Sequence, residues 1–112
     1  MKVLVTGGGG FLGGALVKKL LDIGYNVSAL GRKKYPNLPS GAKLIQCDLK
    51  DRQETVNACE GMDAVFHAAA IPGVWGDSKD FIESNVEGTR NILEGCFQAY
   101  VKKLIFTSSS SV

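Results

Sequence analysis

The sequence is poor in the features that would mark several classes of function. It has one histidine, one tryptophan and three cysteines in 112 residues. Cys47, Cys59 and Cys96 have no metal-ligand spacing, and an odd count argues against a disulfide framework. They read as reduced core thiols, which points to a cytoplasmic chain. No run approaches the ~20 apolar residues of a membrane span. Four consecutive glycines interrupt the apolar N-terminus where a signal peptide needs an unbroken core. The net charge is only +2, and no basic run is interleaved with aromatics, so a nucleic-acid surface is not expected. Gly13 and Gly14 are followed by Ala15 rather than by Lys-Ser/Thr, which excludes a nucleoside-triphosphate P-loop. No acidic residue lies between Asp22 and Asp48.

What is present begins with TGGGGFLG at Thr6 to Gly13, directly after the apolar stretch Val3-Leu4-Val5. Gly7, Gly10 and Gly13 stand three residues apart, between a predicted strand and a predicted amphipathic helix. The first glycine permits a tight turn, the second lets a pyrophosphate approach the backbone, and the third lets helix and strand pack closely. Phe11 and Leu12 open the helix, whose unpaired N–H groups and positive dipole end favour phosphates. The pattern points to a dinucleotide site. Charge is distributed to match: residues 1–47 carry +6 and residues 48–112 carry −4.

Strands and helices alternate along the rest. Strands are predicted at Lys2–Thr6, Asn26–Leu30, Lys43–Cys47, Ala64–Ala68 and Lys103–Thr107. Helices are predicted at Phe11–Ile23, closed by Gly24, and from a capping box at Asp51 and Glu54 to Cys59. A long helix follows from about Ser78 to Tyr100, with Ile82, Val86, Leu93, Phe97 and Tyr100 at helical spacing. This order implies an α/β fold, a Rossmann-type doubly wound parallel sheet ordered 3-2-1-4-5. Ligands in such sheets sit beyond the carboxyl ends of the strands, near the order reversal. An acid about 20 residues past the glycines, which would bind a ribose 2′-OH, is replaced by Gly31 and the basic Arg32, Lys33 and Lys34. Arg32 suits a 2′-phosphate, so NADP(H) is favoured over NAD(H), unless the basic loop is simply solvated.

TGGGGFLG, CDLKD at Cys47–Asp51, VFHAAA at Val65–Ala70, NVEGTRNILEGC at Asn85–Cys96 and KLIFTSSSSV at Lys103–Val112 together resemble the extended short-chain dehydrogenase/reductases. This is the NAD(P)-dependent epimerase/dehydratase group, and HAAAIPGVWGD with NVEGTRN looks most like its 3β-hydroxysteroid dehydrogenase-like branch. The resemblance covers the whole chain as the N-terminal part of a longer protein, so the Rossmann sheet is expected to stop after its fifth strand. It implies that Asp48 accepts a hydrogen bond from the adenine amino group, with Leu49 beside the ring; a plain turn carboxylate is the alternative. It implies that Ala68, Ala69 and Ala70 pass under the cofactor ribose, that Asn85 ties backbone near the site, and that Ser108 lies by the nicotinamide.

The resemblance also implies an active-site serine at Ser109, where its hydroxyl would polarise a carbonyl or alcohol; a flexible tail is the alternative. His67 reads as a packed, hydrogen-bonded residue rather than a proton carrier, and Trp75 as either a wall for an apolar substrate or a loop anchor. The family's proton-transfer pair, Tyr-x-x-x-Lys, is missing: Ala29, Pro39 and Leu104 stand four residues after Tyr25, Tyr35 and Tyr100. The expectation is the cofactor-binding part of an oxidoreductase acting on a carbonyl or alcohol, possible substrates being a sterol or a long-chain 3-oxo compound. A sugar-nucleotide epimerase or dehydratase fragment with bound NAD, and a non-catalytic dinucleotide-binding module, are the alternatives. An uncovered fifth strand makes a homodimer through that edge an expectation as well.

Overall fold

The computed structural model describes residues 1–7, 11–31, 38–70 and 79–109, with the backbone alone described at 11–12, 68–70, 79–85 and 107–109. The elements are β1 (Lys2–Thr6), α1 (Phe11–Ile23), β2 (Asn26–Gly31), β3 (Lys43–Gln46), α2 (Arg52–Cys59), β4 (Ala64–Ala70), α3 (Lys79–Gln98) and β5 (Lys103–Ser109). All five strands pair in parallel in the order β3-β2-β1-β4-β5, as the alternation of elements predicts.

Strand β1 explains why the sheet has two faces to cover. Val3, Leu4 and Val5 are all fully buried, and their side chains alternate. Leu4 joins Leu30, Val65, Ala58, Cys59, Ile92 and Cys96 under α2 and α3. Val3 and Val5 join Val27, Ala29, Ala64, Val17 and Leu20 under α1. A strand buried on both sides is an apolar run rather than an alternating one, and parallel pairing supplies the helices that cover it.

Four strand boundaries differ from the sequence reading. Strand β4 continues two residues past Ala68, and β5 two past Thr107, because Ala69 pairs with Ser108 and Ala70 with Ser109. Strand β2 continues through Gly31, which pairs with Gln46, and β3 itself ends there. Gly31 also accepts the Cys47 amide at 2.9 Å, so the backbone stays tethered one residue past β3. The faces of α3 differ more. Val86, Leu93 and Phe97 point to solvent, Phe97 with 84% of its surface exposed, while Gly88, Asn91, Ile92, Gly95 and Cys96 are buried. A Cβ on Gly95 would stand 2.8 Å from Cys59 Sγ and 3.3 Å from Val56 Cα, so α2 and α3 approach too closely for a side chain there. The outward face has a shallow groove of about 420 Å³ lined by Val86, Thr89, Arg90 and Leu93. On α1, Val17 and Leu20 are buried whereas Ile23 is 56% exposed.

Helix α1 ends as its sequence predicts: Gly24 takes φ +103°, its amide donates to Leu21 and that of Tyr25 to Leu20. Helix α3 ends at Gln98 rather than Tyr100 by the same hydrogen-bond pattern. Val101 donates to the Cys96 carbonyl at 3.0 Å and Tyr100 to that of Phe97 at 3.4 Å. Here the left-handed position is filled by Tyr100, at φ +56° and 89% exposed. A Cβ in that conformation costs roughly 1–2 kcal/mol, and an exposed ring recovers little of it. Tyr100→Gly should therefore stabilise the fold by about 1 kcal/mol, read as a higher denaturant midpoint at unchanged slope. An unchanged or lower midpoint would show that the ring makes up the cost.

Candidate functional site

The parallel sheet brings the carboxyl ends of all five strands to one edge, and the order reverses between β1 and β4. At that edge β1 leaves through Thr6 into Gly7, whose φ of +70° is a conformation that side chains rarely adopt. Its amide donates to the Leu30 carbonyl at 3.0 Å, which fixes the start of the turn against β2. Helix α1 begins at Phe11, with Gly13 buried in its first turn.

Two strands away, the segment after β3 is built from short polar contacts. The exposed Asp48 accepts the Lys50 amide on Oδ1 at 2.9 Å, and its carbonyl accepts the Asp51 amide at 2.8 Å. Asp51 then caps α2, accepting from the Glu54 amide at 3.0 Å. The Leu49 carbonyl accepts from Asn91 Nδ2 at 2.7 Å and from Thr55 Oγ1 at 3.3 Å. A Cβ on Gly88 would stand 3.0 Å from Leu49 Cβ, so α3 lies directly against this loop. Cys47, buried beneath it, has its thiol pushed up to about 11 by burial and stays protonated at neutral pH. An ion pair between Arg52 and Glu94, with Arg52 Nε donating at 2.8 Å, joins α2 to α3 at the surface.

Between β1, β4 and α3 runs a buried hydrogen-bonded chain. The hydroxyl of Thr6 meets His67 Nδ1 at 2.6 Å, and His67 Nε2 meets the Thr89 hydroxyl at 3.0 Å. Phe106, next to His67 in the β4–β5 register, sets its ring edge-to-face at 5.7 Å between centroids. Burial lowers the histidine pKa from its ordinary value of 6.5, so the ring is neutral. Two hydroxyls on either side suit a neutral ring, since each can donate or accept. Among the described residues, no three His, Cys, Asp or Glu side chains group as a metal ion would require, and no helix is long and apolar enough to cross a membrane.

A glycine turn at the end of a central parallel strand, opening a helix beside the order reversal, is the geometry of a dinucleotide fold. Residues 3–112 match the NAD dependent epimerase/dehydratase family. The chain belongs to that family. It is 44% identical over 113 residues to 2-alkyl-3-oxoalkanoate reductase of Stenotrophomonas maltophilia, covering 100% of this chain and 34% of that protein. It is 37% identical over 120 residues to 3-beta-hydroxysteroid dehydrogenase of Mycolicibacterium neoaurum, covering 99% of this chain and 32% of that protein. Among solved structures, MoeE5 in complex with UDP-glucose and NAD superposes with a TM-score of 0.84 at 37% identity, covering 100% of this chain and 38% of MoeE5. The chain thus spans about a third of the length of the curated relatives it matches.

For an epimerase/dehydratase-family chain, the predicted site residues fall as follows. Gly7, Gly13, Asp48 and Leu49 lie on the carboxyl edge with the contacts given above. The backbones of Phe11 and Leu12 open α1, those of Ala68, Ala69 and Ala70 end β4, and those of Ser108 and Ser109 end β5 beside Ala69 and Ala70. Asn85 lies within α3. Gly10, Arg32 and Trp75 lie outside the described residues. Asp48 does act as a turn carboxylate, and through one oxygen only among the described contacts. His67 is the packed, hydrogen-bonded residue that the sequence reading favoured.

That reading missed Thr6, Thr55, Gly88, Thr89 and Asn91. The signal for two of them was present: a glycine inside a helix costs about 1 kcal/mol against alanine and needs a packing reason. An asparagine three residues on shares its face. The neutral His67 generates a pH prediction. Its folded pKa lies below its unfolded one, so the unfolded chain binds the extra proton and stability falls as pH drops below 6.5. The loss levels off below the folded pKa. Over that window the wild-type protein should lose up to about 1.4 kcal/mol per pH unit more than His67→Gln, measured by denaturant unfolding from pH 7.5 downward. Parallel curves for the two proteins would contradict a buried neutral ring.

Proposed function

We propose that this chain is the cofactor-binding part of a carbonyl–alcohol oxidoreductase that favours NADP(H) over NAD(H). The observation that carries the reading is the convergence at one sheet edge of the Gly7 turn, the exposed Asp48 carboxylate and the paired ends of β4 and β5. The residues present fit a dinucleotide. Gly7 has the turn that brings the chain into α1 without a side chain in the way, and the first turn of α1 offers amides to a pyrophosphate. Asp48 Oδ1 is engaged by Lys50, and the other carboxylate oxygen accepts the adenine amino group. The small residues Ala68, Ala69 and Ala70 leave room for a ribose. Arg32 meets a 2′-phosphate, and the lack of any acid from residue 23 to 47 removes the partner that a ribose 2′-OH needs.

When bound, the nicotinamide supplies or takes a hydride. Ser109, one strand from the order reversal, donates a hydrogen bond to the substrate oxygen and stabilises charge that develops on it. The chain holds no Tyr-x-x-x-Lys, so its share of the reaction is binding and polarisation. The likeness to a 2-alkyl-3-oxoalkanoate reductase and a 3-beta-hydroxysteroid dehydrogenase supports an apolar carbonyl or alcohol substrate, a long-chain 3-oxo compound or a sterol.

A second reading has its own support. MoeE5 binds UDP-glucose and NAD, which favours a sugar-nucleotide substrate and NAD. Titration of the chain with NADPH and with NADH, followed by ligand fluorescence and thermal stability, separates the two. The account predicts tighter binding of NADPH. Arg32→Ala should weaken it roughly tenfold, the worth of one charge-assisted contact, with NADH affinity unmoved. Tighter binding of NADH would favour the second reading, and binding of neither would overturn the cofactor assignment for this chain.

A further inference from the structure

We propose that Asn91 is a positioning residue for base recognition, acting on Asp48 through the peptide unit between Leu49 and Lys50. The inference rests on the reading of Asp48 as the adenine contact.

The argument starts from a planar peptide. The Leu49 carbonyl and the Lys50 amide belong to one trans unit, so they point in opposite directions and move together. The carbonyl is held from below by Asn91 Nδ2 at 2.7 Å and by Thr55 Oγ1 at 3.3 Å. On the other side of the same plane, the Lys50 amide donates to Asp48 Oδ1 at 2.9 Å. Fixing the carbonyl therefore fixes the amide, and the amide fixes the carboxylate. A carbonyl only accepts, so the Asn91 atom that faces it must be the amide nitrogen.

Burial distinguishes Asn91 from an ordinary helix asparagine. It is 2% exposed, in the middle of a helix, where asparagine is a mediocre choice and an apolar residue would serve packing better. One helical turn earlier Gly88 leaves Leu49 Cβ room that a side chain would take, at 3.0 Å. Gly88 and Asn91 share a face, and both address the same loop residue. Helix α2 contributes Thr55 to the same carbonyl, so the loop is clamped from two helices at once. Asp48 itself has no such anchorage from the helices: its side chain is exposed, and among the described contacts it is held by the Lys50 amide. The chemical class recognised is a purine with an exocyclic amino group, because a carboxylate accepts from an amine and repels a carbonyl at that position.

The test compares NADPH with its hypoxanthine analogue, which carries a carbonyl in place of the adenine amine. Wild-type protein should bind NADPH roughly tenfold more tightly than the analogue, the worth of one hydrogen bond to a charged group. In Asn91→Leu, which keeps the volume and removes the donor, the ratio should fall to about twofold or less, with affinity for the analogue unchanged. A merely structural role would lower both affinities together and leave the ratio standing. Thr55→Val removes the longer of the two bonds and should lower the ratio in the same direction but less, which keeps the test open if Asn91→Leu folds poorly.

A second readout needs no ligand. Amide exchange at Lys50 and Asp51 in the free protein should accelerate about tenfold in Asn91→Leu, with β1 amides unaffected. Unchanged exchange, or an unchanged ratio in the folded variants, overturns the proposal. Accelerated exchange in a chain whose wild-type form binds neither dinucleotide would leave the positioning of the loop standing and remove the cofactor reading instead.

Discussion

Everything in this fold depends on the burial of β1 on both faces. Three consecutive fully buried apolar residues, Val3 to Val5, leave no face of the strand for water. A sheet with such a strand at its centre needs helices on both sides, and parallel pairing is how one chain supplies them. Once β1 lies between β2 and β4, the chain has to wind outward in both directions, and the order reversal falls beside β1. The cleft for a ligand follows from that reversal, before any side chain of the site is chosen.

Polar contacts then turn a generic edge into a specific one. Thr6, His67 and Thr89 join the end of β1, the middle of β4 and the middle of α3 in one hydrogen-bonded chain. Thr55 and Asn91 hold the loop after β3 to both helices of the same layer. Each of these groups is buried or nearly so, and each has a partner, as the cost of an unmade hydrogen bond in the interior demands. The two networks meet on α3, whose Thr89 serves the first and whose Asn91 serves the second. That helix is therefore the element on which the geometry of the edge is set.

Much of this was legible in the residues. Five apolar segments, the glycine turn after the first, the Asp51 cap and the Gly24 stop were enough for the strand order and the layers. The inner face of α3 was not, for a physical reason. Its apolar stripe of Val86, Leu93 and Phe97 is the strongest periodic signal, yet the helix turns it outward. Gly88, Asn91, Ile92, Gly95 and Cys96 are buried instead, and the close approach of α3 to Leu49 and to α2 leaves no space for a side chain at the two glycines. Hydrophobic periodicity scores side chains that fill space and is blind to glycines that make room. The ends of β4 and β5 were cut short for a related reason: alanine and serine are weak strand signals, and only their pairing with one another extends the strands. Of the site, the turn at Gly7 was readable from the glycine spacing and Asp48 from the family resemblance, while Asn91, which holds the Asp48 loop, lies 42 residues from Leu49 in the chain.

The most direct test of the claim that this edge is a preassembled dinucleotide site is a map of backbone amide shifts as NADPH is added to the labelled chain. The account predicts shifts clustered at Gly7 and Gly13, at Asp48 to Lys50, and along the ends of β4 and β5, with the outer face of α3 at Leu93 and Phe97 silent. Shifts centred on that outer face, or a saturating titration that leaves Asp48 to Lys50 unmoved, would contradict it.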